Sequence, residues 1–166
     1  MEGTPMMPAG GVALGLATVG FGLMAGLFYA FACAVMPALR GADDRTFVDV
    51  MQRINVSILN PWFLVVFVGV LLPAVAAVAL HVPAGGRGAL PWAVAGLVLY
   101  VVLLVITGRV NVPLNNRLAA AGEHDPGAVR AAFEAIWVRW NLVRAVTATA
   151  AFGCLVVAVL RAPRGL

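Results

Sequence analysis

The chain has 166 residues, 63% of them hydrophobic and only 11% charged, with a mean hydropathy of +0.99. A soluble domain carries about 25% charged residues, so a soluble fold of this length has no core large enough to hide so much apolar surface. The net charge of +4 comes from arginine alone; those arginines sit between apolar tracts rather than along one face, which excludes nucleic-acid binding and points to membrane topology.

No Asp, Glu, Lys or Arg occurs in 3–39, 54–86, 88–108 or 145–160. A spanning helix needs about 20 apolar residues, so the first three tracts suffice and the fourth must extend back across Arg144. The reading is a single all-α domain over 1–166, an integral membrane four-helix bundle with amphipathic helical connections on one side. The spans are placed at about residues 12–39, 61–81, 91–109 and 141–160, and the amphipathic helices at about 43–59 and 126–140.

In the first span Gly11, Gly15, Gly22 and Gly26 share one helix face, which Ala30 and Ala34 extend. Small residues at this spacing let another helix approach closely; packing within the bundle is favoured, and a homo-oligomer seam is the other use of that face. Ala32-Cys33-Ala34 resembles a signal cleavage site, but no basic segment precedes it, so the span is read as retained. Cys33 and Cys154 fall at different depths and are expected to stay unpaired.

After Gly41, Asp43 or Asp44 can cap a helix whose Phe47, Met51, Ile54 and Ile58 recur at helical spacing. It is expected to lie on the membrane boundary or tuck into it. Asn60-Pro61 ends it, with Pro61 suited to the first turn of the second span. The third span leaves through "RVNVPLNNRL", residues 109–118, where Pro113 threatens the helix. Asp125 then caps, Pro126 takes the first helical position, and Val129, Phe133, Ile136 and Trp140 form an apolar stripe. Arg130 and Glu134 make an i, i+4 pair on the solvated face. With no glycine or proline between Ala128 and Phe152, one helix should rise from the surface directly into the fourth span.

Eight arginines flank the loops after spans one and three, against three on the other side, or six against three if Arg109 and Arg144 serve a site. That places both termini outside and the long connections in the cytoplasm, in a bacterial inner membrane.

Alternating direction brings Tyr29, Asn55, Asn60, Trp62, Arg109, Asn111, Asn115, Asn116, Trp137, Trp140, Asn141 and Arg144 to one pole, the cytoplasmic one in this orientation. The other pole holds His81, Arg87, Trp92 and Arg161. Arg144 falls about one turn inside the hydrocarbon, where an arginine costs about 1–3 kcal/mol without partners. Trp137, Asn141 and Arg144 share a face at i, i+4, i+7, and asparagine amides can serve an arginine, a freed backbone group or a ligand carbonyl. Plainer roles compete: Trp137 and Trp140 as an aromatic belt, Arg109 snorkelling, the asparagines ending the third span. His81 and His124 lie at opposite ends, so they cannot form a metal or haem site together; no metal site is expected.

"GLFYAFACAVMPAL", "MQRIN", "NVPLNNRL" and "WVRWNLVR", in this order, resemble the anthrone oxygenase-like family of small four-span membrane proteins. The resemblance implies oxidation of an anthrone-type polycyclic phenol to a quinone by molecular oxygen, with no metal or organic cofactor. It further implies that Arg144 stabilises an oxyanion while Asn111, Asn115 and Asn141 orient the substrate. Trp137, Trp140, Tyr29, Asn55, Arg109 and Asn116 would surround a small lipophilic aromatic molecule. Relatives often carry histidine after the span-four asparagine, where this chain has Leu142; with it goes the obvious general base. The competing reading is a non-catalytic membrane protein that binds or passes a lipophilic ligand or supports a partner.

Overall fold

A computed structural model describes residues 9–82, 88–122 and 125–162. Five helices account for almost all of them: α1 (Ala9–Arg40), α2 (Asp44–Ser57), α3 (Pro61–His81), α4 (Leu90–Ala119) and α5 (Pro126–Arg161). All but α2 are long and apolar enough to cross a membrane. Around the bundle the order is α1, α3, α4, α5 and back to α1, an up-down-up-down arrangement of sequence neighbours.

Small residues set the packing. Ala17, Ala74, Ala77, Ala93, Ala148, Ala151 and Ala158 are buried along the seams, which brings backbones together where no hydrophobic effect separates helix from lipid. The tightest approaches are at Gly96, where an added Cβ would lie 3.1 Å from the Ala151 carbonyl oxygen, and at Gly20, where it would lie 2.3 Å from a Val70 methyl. Gly20 was not among the expected glycines. Of those, Gly22 meets Phe152 of α5, whereas Gly15 and Gly26 face open space; the close contact of α1 with α3 thus lies on another face.

The caps follow the sequence. Asp43 accepts a hydrogen bond from the Thr46 amide, Asn60 from Phe63 and Asp125 from Gly127, and prolines follow Asn60 and Asp125 directly. The Thr46 hydroxyl and amide hold the Asp43 carboxyl below its ordinary pKa. As expected, α5 runs unbroken from the surface helix through the fourth span.

Three prolines reshape the spans in ways not anticipated. A proline inside a helix removes one N–H and presses on the carbonyl four residues back. Before Pro37 the turn widens at Phe31–Val35, where the Met36 amide reaches Phe31 O. Before Pro113 it widens at Thr107–Asn111, where the Val112 amide reaches Thr107 O. The helix of the third span therefore does not stop near residue 109: with the clash relieved, it resumes at Val112 and continues to Ala119. In α3, Pro73 would press on Gly69; the helix instead breaks at 68–70, with Leu71 N bonding Val68 O and Leu72 N bonding Gly69 O.

The break strands the Phe67 carbonyl, which the Tyr100 hydroxyl of α4 satisfies at 2.9 Å. Tyr100 is fully buried and stacks on Phe21 of α1, ring centroids 4.1 Å apart. Below the break, Pro61–Phe67 leans on α1, while packing of α3 on α4 is carried by Leu71–His81. The two helices consequently diverge toward the polar pole.

That pole has a roof. Phe47, Val48 and Met51 of α2 pack with Met36, Leu114, Leu118, Phe133 and Trp137 as a second apolar cluster, and Gln52 donates to Leu118 O at 2.8 Å. Arg130, half-buried at the surface, does more than pair with Glu134. Besides Glu134 at 2.7 Å it binds Asp44, Ala42 O and Arg40 O, with its guanidinium 4.6 Å from the Phe47 ring centre. It ties the end of α1 and the start of α2 to α5.

Candidate functional site

Where α3 and α4 diverge, a cavity of about 180 Å³ opens under the roof. Its aromatic and aliphatic wall includes Phe28, Phe31, Phe63 and Phe67; its polar wall is Asn55, Thr107, Asn115, Asn141 and Arg144, with Trp137 between them.

Arg144 is 6% exposed and, among the described residues, has no carboxylate partner. Its charge is held by other means. One terminal nitrogen donates to Asn141 Oδ1 at 3.1 Å, and the guanidinium lies 4.7 Å from the centre of the Phe28 ring and 5.4 Å from that of Trp137. Desolvated cation–ring contacts of this kind contribute about 2 kcal/mol each. Asn141, 1% exposed, donates in turn to Phe28 O at 3.2 Å. Trp137 Nε1 donates to Asn115 Oδ1 at 2.9 Å.

Donor logic fixes these amides. Indole N–H and guanidinium can only donate, so each must meet an amide oxygen. The acceptors of Asn115 and Asn141 are thereby used within the wall. The Asn115 amide nitrogen is left free to donate, Asn55 Oδ1 and the Thr107 hydroxyl oxygen remain as acceptors, and Arg144 Nε and Asn55 Nδ2 are buried without a partner. A guanidinium and an amide donor on one wall suit a carbonyl oxygen or an oxyanion. Asn111, brought inward by the wide turn of α4, is 0% exposed with both amide atoms unpartnered. Each such group costs about 1–3 kcal/mol while unmet.

Among the expected residues, Asn55, Asn115, Trp137, Asn141 and Arg144 surround this one cavity, with Asn111 buried on the same segment of α4 but outside its lining. Four others stand away from it. Tyr29 is 63% exposed and borders an outer groove between α1 and α5, one helical step (about 100°) past Phe28, which does line the cavity. Asn116 is likewise one step past Asn115; it and Arg109 are exposed, and Trp140 is half-buried. Leu142, the position where the resemblance implied a histidine, faces outward beside Tyr29 and away from the cavity lining.

Phe28, Thr107 and Tyr100 were missed. A tyrosine in mid-span was itself a signal, because its hydroxyl must find a partner in hydrocarbon. His81 is buried at the opposite pole with Nδ1 2.7 Å from Ala77 O; His124 lies outside the described residues. Cys33 and Cys154 are unpaired. No three His, Cys, Asp or Glu side chains cluster among the described residues.

Fold and site together define a four-span membrane bundle with a cavity at one pole that has an aromatic wall and a polar wall. A sequence model of the anthrone oxygenase family matches residues 62–154, and the chain belongs to that family. The match takes in "NVPLNN" and "WVRWNLVR" but begins beyond α1 and α2, which supply Phe28, Phe31 and Asn55 to the cavity. No curated protein and no solved structure matches the chain significantly.

Proposed function

We propose that the protein oxidises a flat phenolic ketone of the anthrone type with molecular oxygen, in the cavity beside Arg144. The observation that carries this reading is a buried guanidinium on the cavity wall, with no carboxylate partner among the described residues and with an amide donor of Asn115 beside it. An anthrone becomes reactive toward oxygen once it loses a ring proton and its negative charge moves onto the carbonyl oxygen. Donors aimed at that oxygen stabilise the anion, and do so more strongly in a water-poor site.

The remaining steps balance as anthrone plus O2 giving anthraquinone plus water. The anion passes an electron to O2, the resulting pair joins in a carbon–oxygen bond, and the hydroperoxide so formed loses water to leave the second carbonyl. Arg144 and Asn115 hold the oxyanion, Asn141 orients Arg144, and Trp137 and Phe28 flank the rings. The wall contains no carboxylate or imidazole; the proton passes to water, helped by the lowered basicity of a stabilised anion. At about 180 Å³ the cavity is below the roughly 300–1,000 Å³ of drug-sized pockets, so the ketone end enters and the far ring stays in the mouth.

The same missing base favours a second reading, a binding site for a lipophilic ketone without turnover. Oxygen uptake by reconstituted protein supplied with an anthrone separates the two. The oxygenase reading expects uptake and anthraquinone formation above the spontaneous rate, reduced about 10²-fold in Arg144→Gln, the effect of removing one oxyanion donor. Uptake at the spontaneous rate, with saturable anthraquinone binding, would leave only the binding reading.

A further inference from the structure

We propose that the cavity is loaded sideways from the bilayer, through a portal between the first half of α3 and the lower part of α4, by a flat lipophilic molecule dissolved among the acyl chains. This rests on the reading of the cavity as a site for such a molecule, and extends it to the route of entry.

Toward the aqueous pole the cavity is covered by half-buried Ile54, Asn55 and Ile58 at the end of α2, with Ile54 packed against the second apolar cluster. Phe47 and Met51 are 0% exposed in the roof and Leu118 is 2%; Gln52 and Arg130 fasten that roof to α4 and α5. A ligand arriving from water would have to part this second apolar cluster.

The lateral side is open. Leu59, Leu64, Val68 and Val112 line the cavity and are 67%, 43%, 51% and 43% exposed, so they form its rim. Leu64 and Val68 lie three and seven residues inside the start of α3 at Pro61, or about 5 and 10 Å into the span at ~1.5 Å per residue. That depth is hydrocarbon. The apolar rim that Leu64 and Val68 form at that depth admits an apolar molecule from the bilayer and leads it to the polar wall around Arg144. The ketone end therefore travels inward first, toward Arg144, and the hydrocarbon end remains at the rim.

The aperture is built into the backbone. Pro73 breaks α3 at 68–70, and the lower segment leans toward α1 and away from α4. Gly69 is required at the bend, because a Cβ there would lie 2.3 Å from the Val65 carbonyl oxygen. Tyr100 holds the lower segment at Phe67 O, which sets the width of the gap.

Access can be measured without turnover, so the portal and the oxygenase reading can fail separately. Trp62, Trp92 and Trp140 are replaced by Phe, leaving Trp137 as the only indole, and the protein is placed in lipid nanodiscs. Bromobenzene, a contact quencher that partitions into the bilayer, should quench Trp137 readily; acrylamide from water should quench it weakly. Filling the rim with Leu64→Phe and Val68→Phe together, or with Val112→Phe on the facing helix, should lower the bromobenzene quenching constant several-fold. Two independent rim variants guard against one of them misfolding. Acrylamide quenching as efficient as that by bromobenzene, or bromobenzene quenching unaffected by both rim variants, would overturn the portal.

Discussion

Replacing Tyr100 with Phe removes one hydroxyl and leaves the ring free to keep its stack on Phe21. Among the described residues the lost bond is the one partner of Phe67 O, because Leu71 N has been drawn to Val68 O by the break at Pro73. Paired hydrogen bonds in membrane bundles contribute modestly, about 0.6 kcal/mol on average and up to about 1.7. Here only the donor is removed, and the orphaned carbonyl adds a desolvation penalty of about 1–3 kcal/mol. The expected loss is therefore about 1–2 kcal/mol, or roughly 5- to 30-fold in the unfolding constant. Reversible unfolding in mixed micelles with rising detergent denaturant measures it. The variant should also show a bromobenzene quenching constant for Trp137 different from that of the parent, since the lower segment of α3 is no longer held. A loss under about 0.3 kcal/mol, smaller than even an average paired bond, would show that the carbonyl finds another partner and that Tyr100 does not hold the bend.

Gly20→Ala drives a methyl into Val70, with its Cβ 2.3 Å from Val70 Cγ2, and should cost about 1–3 kcal/mol as overpacking; Val70→Ala in the same chain should restore most of it in the same unfolding assay. Trp137→Phe frees Asn115 Oδ1 and so places a further acceptor beside Arg144 in the polar wall. Anthraquinone should then bind about tenfold more weakly by titration calorimetry, the equivalent of one net hydrogen bond, and unchanged affinity would count against the donor logic. Asp43 should titrate below the ordinary aspartate value by carbon-13 NMR, and Thr46→Val should move it back up. Its folded pKa is depressed, so its contribution to stability is present above the unfolded pKa and is lost as the pH falls through the folded one.

Much of this was legible in the residues. Charge-free tracts located the four spans, and Asp43, Asn60 and Asp125 marked helix starts because a short acceptor side chain there meets an unpaired amide. Trp137, Asn141 and Arg144 could be put on one face by spacing alone, and the structure joins them through Arg144, which bonds Asn141 and rests on the Trp137 ring. Illegible was the response to proline. Pro37 and Pro113 could have ended their helices; each is accommodated by a widened turn, which inserts a residue and rotates the helix beyond it. That rotation decides which of Asn111, Asn115 and Asn116 point inward, and periodicity assuming a uniform helix cannot supply it. Tyr29 illustrates the same difficulty one step from Phe28. The glycine spacing in α1 found a face of small residues, but the intimate contact falls on Gly20, whose partner Val70 is placed by the break in α3 and not by anything in α1.

The position of a bound aromatic ketone tests the central claim most directly. In a structure of the protein with anthraquinone in a lipid environment, one carbonyl oxygen should lie within hydrogen-bonding distance of Arg144 and the Asn115 amide nitrogen, with the rings between Phe28 and Trp137. A ketone seated elsewhere, or an Arg144 guanidinium turned away from it toward lipid, would contradict the account.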